Sequence, residues 1–405
     1  MARIDYDNNT HMMRGMKIRI YPDEYQASLI DERINISIAV YNWAINCEKE
    51  QYELYKSGKS NKKFLSYYDL IYKYTDFRNN NECSLILPYG SAEKAIHRAY
   101  IAFEMFFKTK NRFPKYKSKK KLRKMSYGVR HDTMYIDDNM VRIEGFPRGN
   151  KIYSKYHTKF RHNDGTRYYN PVITKDRSGR YYISFSIIVE KLEIKIISDI
   201  LSNPIGIDLN VKDRFVCSNG YRSGSPNINK LRKRYRKAES ASHRDIRRRL
   251  KEAKAKSLKY TDIIPSKRAE KRMNKKRKIA DKIANITETF IQEQTCKIIK
   301  MNPSIVIMED LSVDDMKKNH KVAHNLCEYG SSFNRCITVM KSKCEKFSIP
   351  FKQAGNRFPS SMMCSNCGHI KKISSQKIYK CSNCGMVMDR DLNAAINLMN
   401  LAAFV

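Results

Sequence analysis

Residues 204–219 read PIGIDLNVKDRFVCSN, and their pattern is the strongest indication of the fold. An apolar strand carries Asp208, residues 210–213 predict a turn, and a second strand returns from Arg214 to Cys217. A carboxylate in the middle of an apolar strand is costly unless it is paired or binds a cation. The hairpin therefore makes Asp208 a candidate cation ligand, and structural pairing with a neighbouring side chain is equally consistent with the sequence.

Two later segments place further acids at the ends of predicted elements. Residues 304–311 read SIVIMEDL, so Glu309 and Asp310 follow an apolar strand at the edge where α/β sheets hold catalytic groups. Residues 389–398 read DRDLNAAINL, which predicts a helix that starts at Asp389 or Asp391. A plain helix cap would explain either aspartate, so each segment alone is a weak signal.

Taken together, the three segments are more specific. A strand Asp, a strand-end Glu and a helix-start Asp, in that order, form the acidic set of the RNase H-like fold, in which three carboxylates converge on divalent cations. Such ions activate a water molecule and stabilise the leaving oxygen in phosphodiester hydrolysis. Because hard cations prefer carboxylate and water ligands, the sequence predicts Mg²⁺ or Mn²⁺ as the catalytic cofactor.

Four cysteines near the end of the chain predict a structural zinc site. Cys364 and Cys367 form one C-x-x-C pair, Cys381 and Cys384 form another, and 13 residues separate the two pairs. Four thiolates give a closed tetrahedral Zn²⁺ site with no open position for a substrate. Two disulfides are the alternative. The N-terminus lacks the apolar core of a signal peptide, so we expect a reducing compartment, which opposes disulfides.

The composition predicts a polyanionic partner. The chain has 79 Lys and Arg against 41 Asp and Glu, a formal net charge of +38 that attracts nucleic acid first and anionic membrane second. Residues 230–280, predicted to be helical, carry 22 Lys and Arg against 5 acids, and residues 108–121 interleave basic and aromatic side chains. No stretch approaches the roughly 18 apolar residues of a membrane span. The residues predicted to bind nucleic acid are Lys115, Lys117, Lys119, Lys120, Arg247, Arg248, Arg249, Lys275, Lys276 and Arg277.

The remaining sequence predicts an α+β protein with several domains. A strand from Met16 to Tyr21 precedes a helix from Glu24 to about Tyr55, and further helices follow over residues 66–108. Residues 127–200 alternate apolar and polar side chains between turn signals and predict a β-rich region. Residues 1–14 are polar, and we expect them to be a flexible extension.

Several motifs in this chain resemble those of the TnpB family of transposon-encoded nucleases. In the second half they are GIDLNVKDRF, IVIMEDLSV, FPSSMMCSNCGH and YKCSNCGMVMDRDLNAAINL, and in the first half MKIRIYPDEYQ, YNWAI and NRFPKYKSKKK. The resemblance extends from about residue 16 to residue 400. The miniature type V CRISPR effectors share this architecture.

The resemblance implies an RNA-guided DNA endonuclease that pairs a guide RNA with one strand of double-stranded DNA, displaces the other and reads a short target-adjacent motif. Asp208, Glu309 and Asp391 match the family's catalytic positions, and Asp391 is preferred over Asp389 because the family's last Asp stands directly before x-N-A-A. The implied domains are a wedge-like β-barrel at 15–30 and 120–200, a helical recognition domain at 31–119, a RuvC-like nuclease domain at 201–360 and 386–405, and a zinc ribbon that binds target nucleic acid at 361–385. The flexible extension at residues 1–14 is a departure from the family.

Three other functions stay open. One is a RuvC-like nuclease or resolvase without a guide, which the large first half of the chain disfavours. Another is a non-cleaving RNA-guided regulator of DNA, which the three carboxylates disfavour. An RNA-binding structural protein would explain the charge and the zinc but not the acids. We expect the protein in the cytoplasm near the nucleoid of a prokaryote, or in the nucleus of a eukaryotic or viral host.

Overall fold

The computed structural model describes residues 10–109, 113–118, 124–137, 139–147, 149–155, 167–176, 178–191, 202–258, 263, 265–309, 333–355, 358–371 and 376–404. Within these ranges the chain forms two compact units, one made mostly of residues 13–189 and the other mostly of residues 190–405. No helix in the described ranges is both long and apolar enough to cross a membrane.

The first unit contains a seven-stranded, mostly antiparallel sheet. Its strands are β1 (His11–Tyr21), β2 (Lys124–Gly128), β3 (Tyr135–Asp137), β4 (Met140–Arg142), β5 (Ile152–Lys155), β6 (Tyr169–Asp176) and β7 (Tyr181–Glu190), in the spatial order β2-β6-β7-β1-β5-β4-β3. The β-rich region predicted over residues 127–200 is therefore present. Strand β1 begins at His11, five residues before the predicted start, so residues 11–14 are strand rather than flexible extension. Residues 1–9 of that extension lie outside the described part.

The described part of the first unit also has three α-helices: α1 (Glu24–Lys56), α2 (Tyr67–Asn79) and α3 (Tyr89–Thr109). Helix α1 agrees with the predicted span because its start is encoded locally. The carboxylate of Asp23 accepts the Gln26 amide at 2.8 Å, and the Gln26 side chain accepts the Asp23 amide at 3.1 Å. The domain boundary predicted between residues 30 and 31 falls inside this helix.

The second unit is built on a four-stranded sheet. Its strands are β8 (Pro204–Asp208), β9 (Val216–Cys217), β10 (Ile305–Glu309) and β11 (Phe351–Ala354), in the order β11-β10-β8-β9. Strands β8, β10 and β11 are parallel, and β9 returns antiparallel to β8, as the hairpin pattern predicted. The helices are α4 (Asn229–Ala255), α5 (Lys267–Ile299), α6 (Phe333–Lys346) and α7 (Arg390–Asn400), and a short hairpin joins β12 (Ile378–Lys380) to β13 (Val387–Asp389).

The predicted basic helical region is a pair of antiparallel helices, α4 and α5. Ion pairs join Asp245 to Arg272 at 3.3 Å and Glu239 to Lys276 at 2.9 Å, so residues equally far from the connecting turn face each other. The connection is tied down by Arg249, which is buried and donates through Nε to the carbonyl oxygen of Ile263 at 3.1 Å.

Helix α7 packs directly on strand β8, and Gly206 makes this close approach possible. A Cβ atom at that position would lie 2.1 Å from the carbonyl oxygen of Ala395 and 2.3 Å from the amide nitrogen of Met399. Such distances are shorter than any real contact, so a side chain at position 206 would force the helix away from the sheet. The glycine therefore sets where the start of α7 stands relative to the end of β8.

Candidate active site and metal centre

The three predicted catalytic carboxylates lie close together at one edge of the second unit's sheet. Ile207 of β8 is paired with Met308 of β10, and the next residue of each parallel strand is Asp208 or Glu309. Asp391 stands in the first turn of α7, the helix that Gly206 admits onto β8. Both Glu309 and Asp391 act electrostatically on Asp208, so the fold brings all three acids into one neighbourhood.

The electrostatics of this group favour a cation. Burial, and then the charges of Glu309 and Asp391, raise the pKa of Asp208 well above its ordinary value, while Arg390 opposes the shift. Burial also raises the pKa of Glu309, and the nearby Ser360 hydroxyl opposes the shift. Ionised carboxylates in such a place are destabilising on their own, and a divalent cation would relieve both burial and mutual repulsion. Asp310 lies outside the described residues.

Asp389 and Asp391 have different surroundings. The Asp389 carboxylate caps α7 by accepting the amides of Asp391 at 3.0 Å and Leu392 at 3.1 Å, and it pairs with Arg222 at 2.7 Å. Burial raises the pKa of Asp389, but Arg222 and the backbone amides outweigh it and hold the pKa below its ordinary value. The N-cap explanation considered for this helix therefore applies to Asp389.

Asp391 is instead held from two sides by residues that the sequence patterns did not single out. Asn210 donates from its side-chain amide to one carboxylate oxygen, and the Arg390 guanidinium contacts the other at 3.2 Å. Asn210 lies two residues beyond Asp208 in the predicted turn, and this closeness of a polar side chain to the first acid could have identified it as a site residue. No sequence pattern could have identified Arg222, because its contact with Asp389 spans more than 160 residues of chain.

The four cysteines form a compact group of sulfur atoms. Sγ of Cys364 lies 3.6 Å from that of Cys384, and Sγ of Cys367 lies 3.6 Å from that of Cys381. Tetrahedral Zn²⁺ with Zn–S bonds of about 2.3 Å places its sulfur atoms about 3.8 Å apart, whereas a disulfide needs about 2.05 Å. The sulfur positions therefore fit a zinc ion, and no disulfide joins these four cysteines in the structure.

The backbone around the cysteines also suits thiolate ligands. Gly368 and Gly385, one after each C-x-x-C pair, have φ of +72° and +73°, which glycine adopts without strain. A backbone hydrogen bond at Met386 and the Asn366 side chain lower the pKa of Cys384 to about 6. Among the described residues the four cysteines are the group whose metal-ligand atoms all lie within 4.8 Å of one another, and the three carboxylates are less tightly gathered.

The ten residues predicted to bind nucleic acid divide into groups. Lys115, Arg247, Arg248 and Lys275 are exposed. Lys276 is paired with Glu239, and Arg277 donates to Asn274 at 3.0 Å. Lys117 is half-buried, with Nζ 3.5 Å from the centre of the Tyr41 ring. Lys119 and Lys120 lie outside the described residues.

The prediction for Arg249 is wrong. Its side chain is buried, and its guanidinium donates to the carbonyl of Ile263, so it ties Ile263, which precedes α5, to α4 and does not face solvent. The cause is the packing of the two helices, which turns one face of α4 inward. Helices α4 and α5 also form a basic depression of about 540 Å³. The sequence pattern did not distinguish the cations that line it from the other basic residues of these helices. The lining cations are Arg234, Lys271, Lys275, Lys278 and Lys282.

The difference in burial between Arg249 and its neighbours Arg247 and Arg248 predicts how the salt dependence of nucleic-acid affinity responds to their replacement. Replacing Arg247 and Arg248 with glutamine is expected to lower the slope of log affinity against log salt by up to about 2, one for each phosphate that is no longer neutralised. Arg249→Gln is the matched comparison and is expected to leave that slope unchanged while lowering the melting temperature, since it leaves a buried carbonyl poorly satisfied. The measurement is fluorescence anisotropy of labelled RNA and DNA at several salt concentrations. A slope that Arg249→Gln alone reduces would contradict the assignment.

Two family descriptions match parts of this chain. Residues 333–398 match the family described as "Cas12f1-like, TNB domain". This matched range contains the four cysteines and Asp391. Residues 12–57 match the family described as a helix-turn-helix domain of the OrfB_IS605 type, although in this structure they form β1 and a single long helix, α1.

The fold of this chain is similar to that of a solved protein. A cryo-electron microscopy structure of a Cas12f1–sgRNA–target DNA complex contains a chain of the same fold, with a TM-score of 0.55, 15% identity, and coverage of 97% of this chain and 99% of that one. The mixed α/β architecture is therefore that of Cas12f1.

Comparison of amino-acid sequences identifies two relatives of this chain. A protein of Streptomyces pristinaespiralis, whose name provisionally describes an RNA-guided DNA endonuclease, is 23% identical over 392 residues, which are 95% of this chain and 88% of the relative. A TnpB-like protein of Acanthamoeba polyphaga mimivirus is 48% identical over 46 residues, which are 11% of this chain and 9% of the relative. The resemblance to TnpB-like proteins and to miniature type V effectors is confirmed.

Proposed function

We propose that this chain is an RNA-guided DNA endonuclease of the TnpB and Cas12f type, which hydrolyses phosphodiester bonds at Asp208, Glu309 and Asp391. The observation that carries the proposal is the convergence of these acids, from two parallel strands and one helix start, at one sheet edge. The strand order, with an antiparallel β9 beside the parallel β8, β10 and β11, supports a RuvC-like nuclease domain. The relative matched along most of both chains supports the RNA-guided activity.

The three carboxylates would hold Mg²⁺ or Mn²⁺, which supply the activation of water and the stabilisation of the leaving oxygen. The chain's own contribution is to place the oxygens. Asn210 and Arg390 restrain Asp391 from two sides. The charge of Arg390 also reduces the repulsion among the acids around Asp208.

The cysteine group would hold a structural zinc ion, and its base is joined to the helix that carries Asp391. Asn393 accepts the Ser365 amide at 2.9 Å and donates to the Met363 carbonyl at 2.7 Å. Asn397 donates to the carbonyls of Met363 and Ser360. A correctly folded zinc ribbon would therefore help to fix α7, and with it the third carboxylate.

Guide RNA and target DNA are the proposed partners. The basic α4–α5 pair offers cations for phosphates, and the first unit is larger than a bare nuclease requires. If it helps to hold an RNA–DNA heteroduplex, sequence choice is delegated to base pairing. The wedge, recognition, nuclease and ribbon boundaries stated from the sequence remain part of this proposal.

Guide dependence is the test of this function. Protein stripped of RNA is expected to lack sequence-specific cleavage and to regain it with a guide that matches the target, because base pairing provides the specificity. The assay compares cutting of a plasmid that carries the matched target with a plasmid that carries a scrambled one. Equal, site-specific cutting without RNA would favour a guide-free resolvase. Guide-dependent binding without cutting would favour the non-cleaving regulator.

The choice of the third carboxylate has its own test. Asp391→Asn is expected to remove cleavage, since the charge of Asp391 acts more strongly on Asp208 than that of Asp389 does, and the Asp389 carboxylate is already engaged in capping the helix. Asp389→Asn is expected to keep most activity, because asparagine is an equally good helix cap. The two variants are compared at matched DNA binding. Normal cutting by Asp391→Asn together with loss in Asp389→Asn would reverse the assignment.

A further inference from the structure

A small polar cavity in the first unit lies between helices α1 and α3, strand β2 and residues 113–118. Its volume is about 50 Å³, and its polar lining comes from Ser37, Tyr41, Arg98, Lys117 and Ser126. A single water needs roughly 10–15 Å³ on a comparable measure, so a group several times larger fits. Two cations and three hydroxyls surround this cavity, and all five groups can donate hydrogen bonds to an oxyanion.

Lys117 is fixed in this position by its backbone. The side-chain amide of Asn42 accepts the Lys117 amide at 2.7 Å and donates to the Lys117 carbonyl at 2.9 Å. The Lys117 side chain crosses the Tyr41 ring, with Nζ 3.5 Å from the ring centre. One asparagine therefore holds the segment on α1, and the lysine is preorganised rather than mobile on the surface.

The two cations lack an acidic counterpart in the part of the chain that the structure describes. Burial lowers the pKa of Arg98, and burial followed by the charge of Arg98 lowers the pKa of Lys117 to about 8. No described carboxylate counters either shift. Keeping two like charges half-buried together destabilises the free protein, and an anion between them would remove both the repulsion and the desolvation cost.

We propose that Arg98 and Lys117 form a binding site for one backbone phosphate of a bound nucleic-acid strand. The proposal rests on the nucleic-acid binding of the proposed function but not on its nuclease chemistry. Both cations line one small cavity, so they serve a single phosphate. Arg98 also borders an open depression of about 640 Å³ that contains Lys94, His97 and Tyr100, which gives an extended strand a path beyond the pocket. The acid of that depression, Glu93, accepts a hydrogen bond from the Tyr67 hydroxyl at 2.8 Å.

The test uses the full chain freed of RNA and the double variant Arg98→Gln/Lys117→Met. Methionine preserves the packing of the Lys117 side chain on Tyr41. The control Lys59→Met/Lys300→Met removes two exposed lysines for which no role is proposed. The probes are a labelled single-stranded 20-nucleotide RNA, a 20-base-pair DNA and inorganic phosphate. The measurements are the salt dependence of affinity and the melting temperature.

The double variant is expected to lower the slope of log affinity against log salt by about 1, not by 2, for at least one nucleic acid. Its RNA-free form is expected to melt higher than the wild type, because two uncompensated half-buried charges are gone. The control should change neither quantity. A purely structural role would give the opposite pattern, a lower melting temperature with an unchanged slope. An unchanged slope with stabilisation of the wild type alone by inorganic phosphate would assign the pocket to the free ion and overturn the proposal. Because cleavage is not measured, failure of the nuclease proposal would leave this test intact.

Discussion

Asp208→Ala is expected to abolish DNA cleavage while guide-dependent DNA binding persists. Asp208 is the buried member of the acidic group and the one on which the charges of Glu309 and Asp391 act. Removing it from a divalent-metal site forfeits several kcal/mol of transition-state stabilisation, which corresponds to a loss of at least about 1,000-fold in rate. Binding depends on basic residues and base pairing, so the affinity should stay near that of the wild type.

The measurement is single-turnover cleavage of a matched target in Mg²⁺ or Mn²⁺, with DNA binding recorded on the same samples. Glu309→Gln should lose cleavage in the same way. Ca²⁺ should not support cutting by the wild type, since it prefers looser and higher coordination. Normal cutting by Asp208→Ala would refute the proposed nuclease chemistry.

A stability control accompanies this experiment. Because burial raises the pKa of Asp208, its ionised form destabilises the folded chain at neutral pH. Asp208→Asn without divalent ions is therefore expected to melt no lower than the wild type, so the absence of activity could not be attributed to unfolding. A markedly lower melting temperature would mean that Asp208 has a structural role.

Cys381→Ser is expected to lower zinc content and stability together, with cleavage falling as a consequence. The wild type should contain about one zinc per chain, since four thiolates complete one tetrahedral shell. Loss of one thiolate opens the shell, and zinc binding provides much of the folding free energy of such small sites. The ribbon's base is bonded to Asn393 and Asn397 of α7, so the disturbance should reach Asp391.

Elemental analysis and thermal melting are the measurements, with Cys296→Ser as the matched control. Cys296 is a partly exposed cysteine of α5 outside the metal group, and its replacement should preserve zinc. Complete loss of zinc with unchanged melting and cutting in Cys381→Ser would contradict a structural role.

Local chemistry explains which parts of the fold could be predicted. Helix α1 was predicted to within about one residue because the Asp23–Gln26 capping box is encoded in adjacent residues. The start of β1 was missed because its neighbours in the sheet, β7 and β5, lie far along the chain. Pairing at that distance leaves no local periodicity to detect.

The sequence by itself determined the elements that carry the chemistry: an acid in an apolar strand, an acid at a strand end, an acid at a helix start, and two C-x-x-C pairs. These are short-range patterns, because hydrophobic periodicity, caps and ligand spacing act over a few residues. Only the tertiary structure decided which of several similar side chains serve which purpose. Asp389 became the helix cap while the Asp391 carboxylate is held by Asn210 and Arg390, and Arg249 was buried beside the exposed Arg247 and Arg248. Identical residue types look alike in a sequence, and packing separates them because it gives each a different burial, charge environment and set of partners.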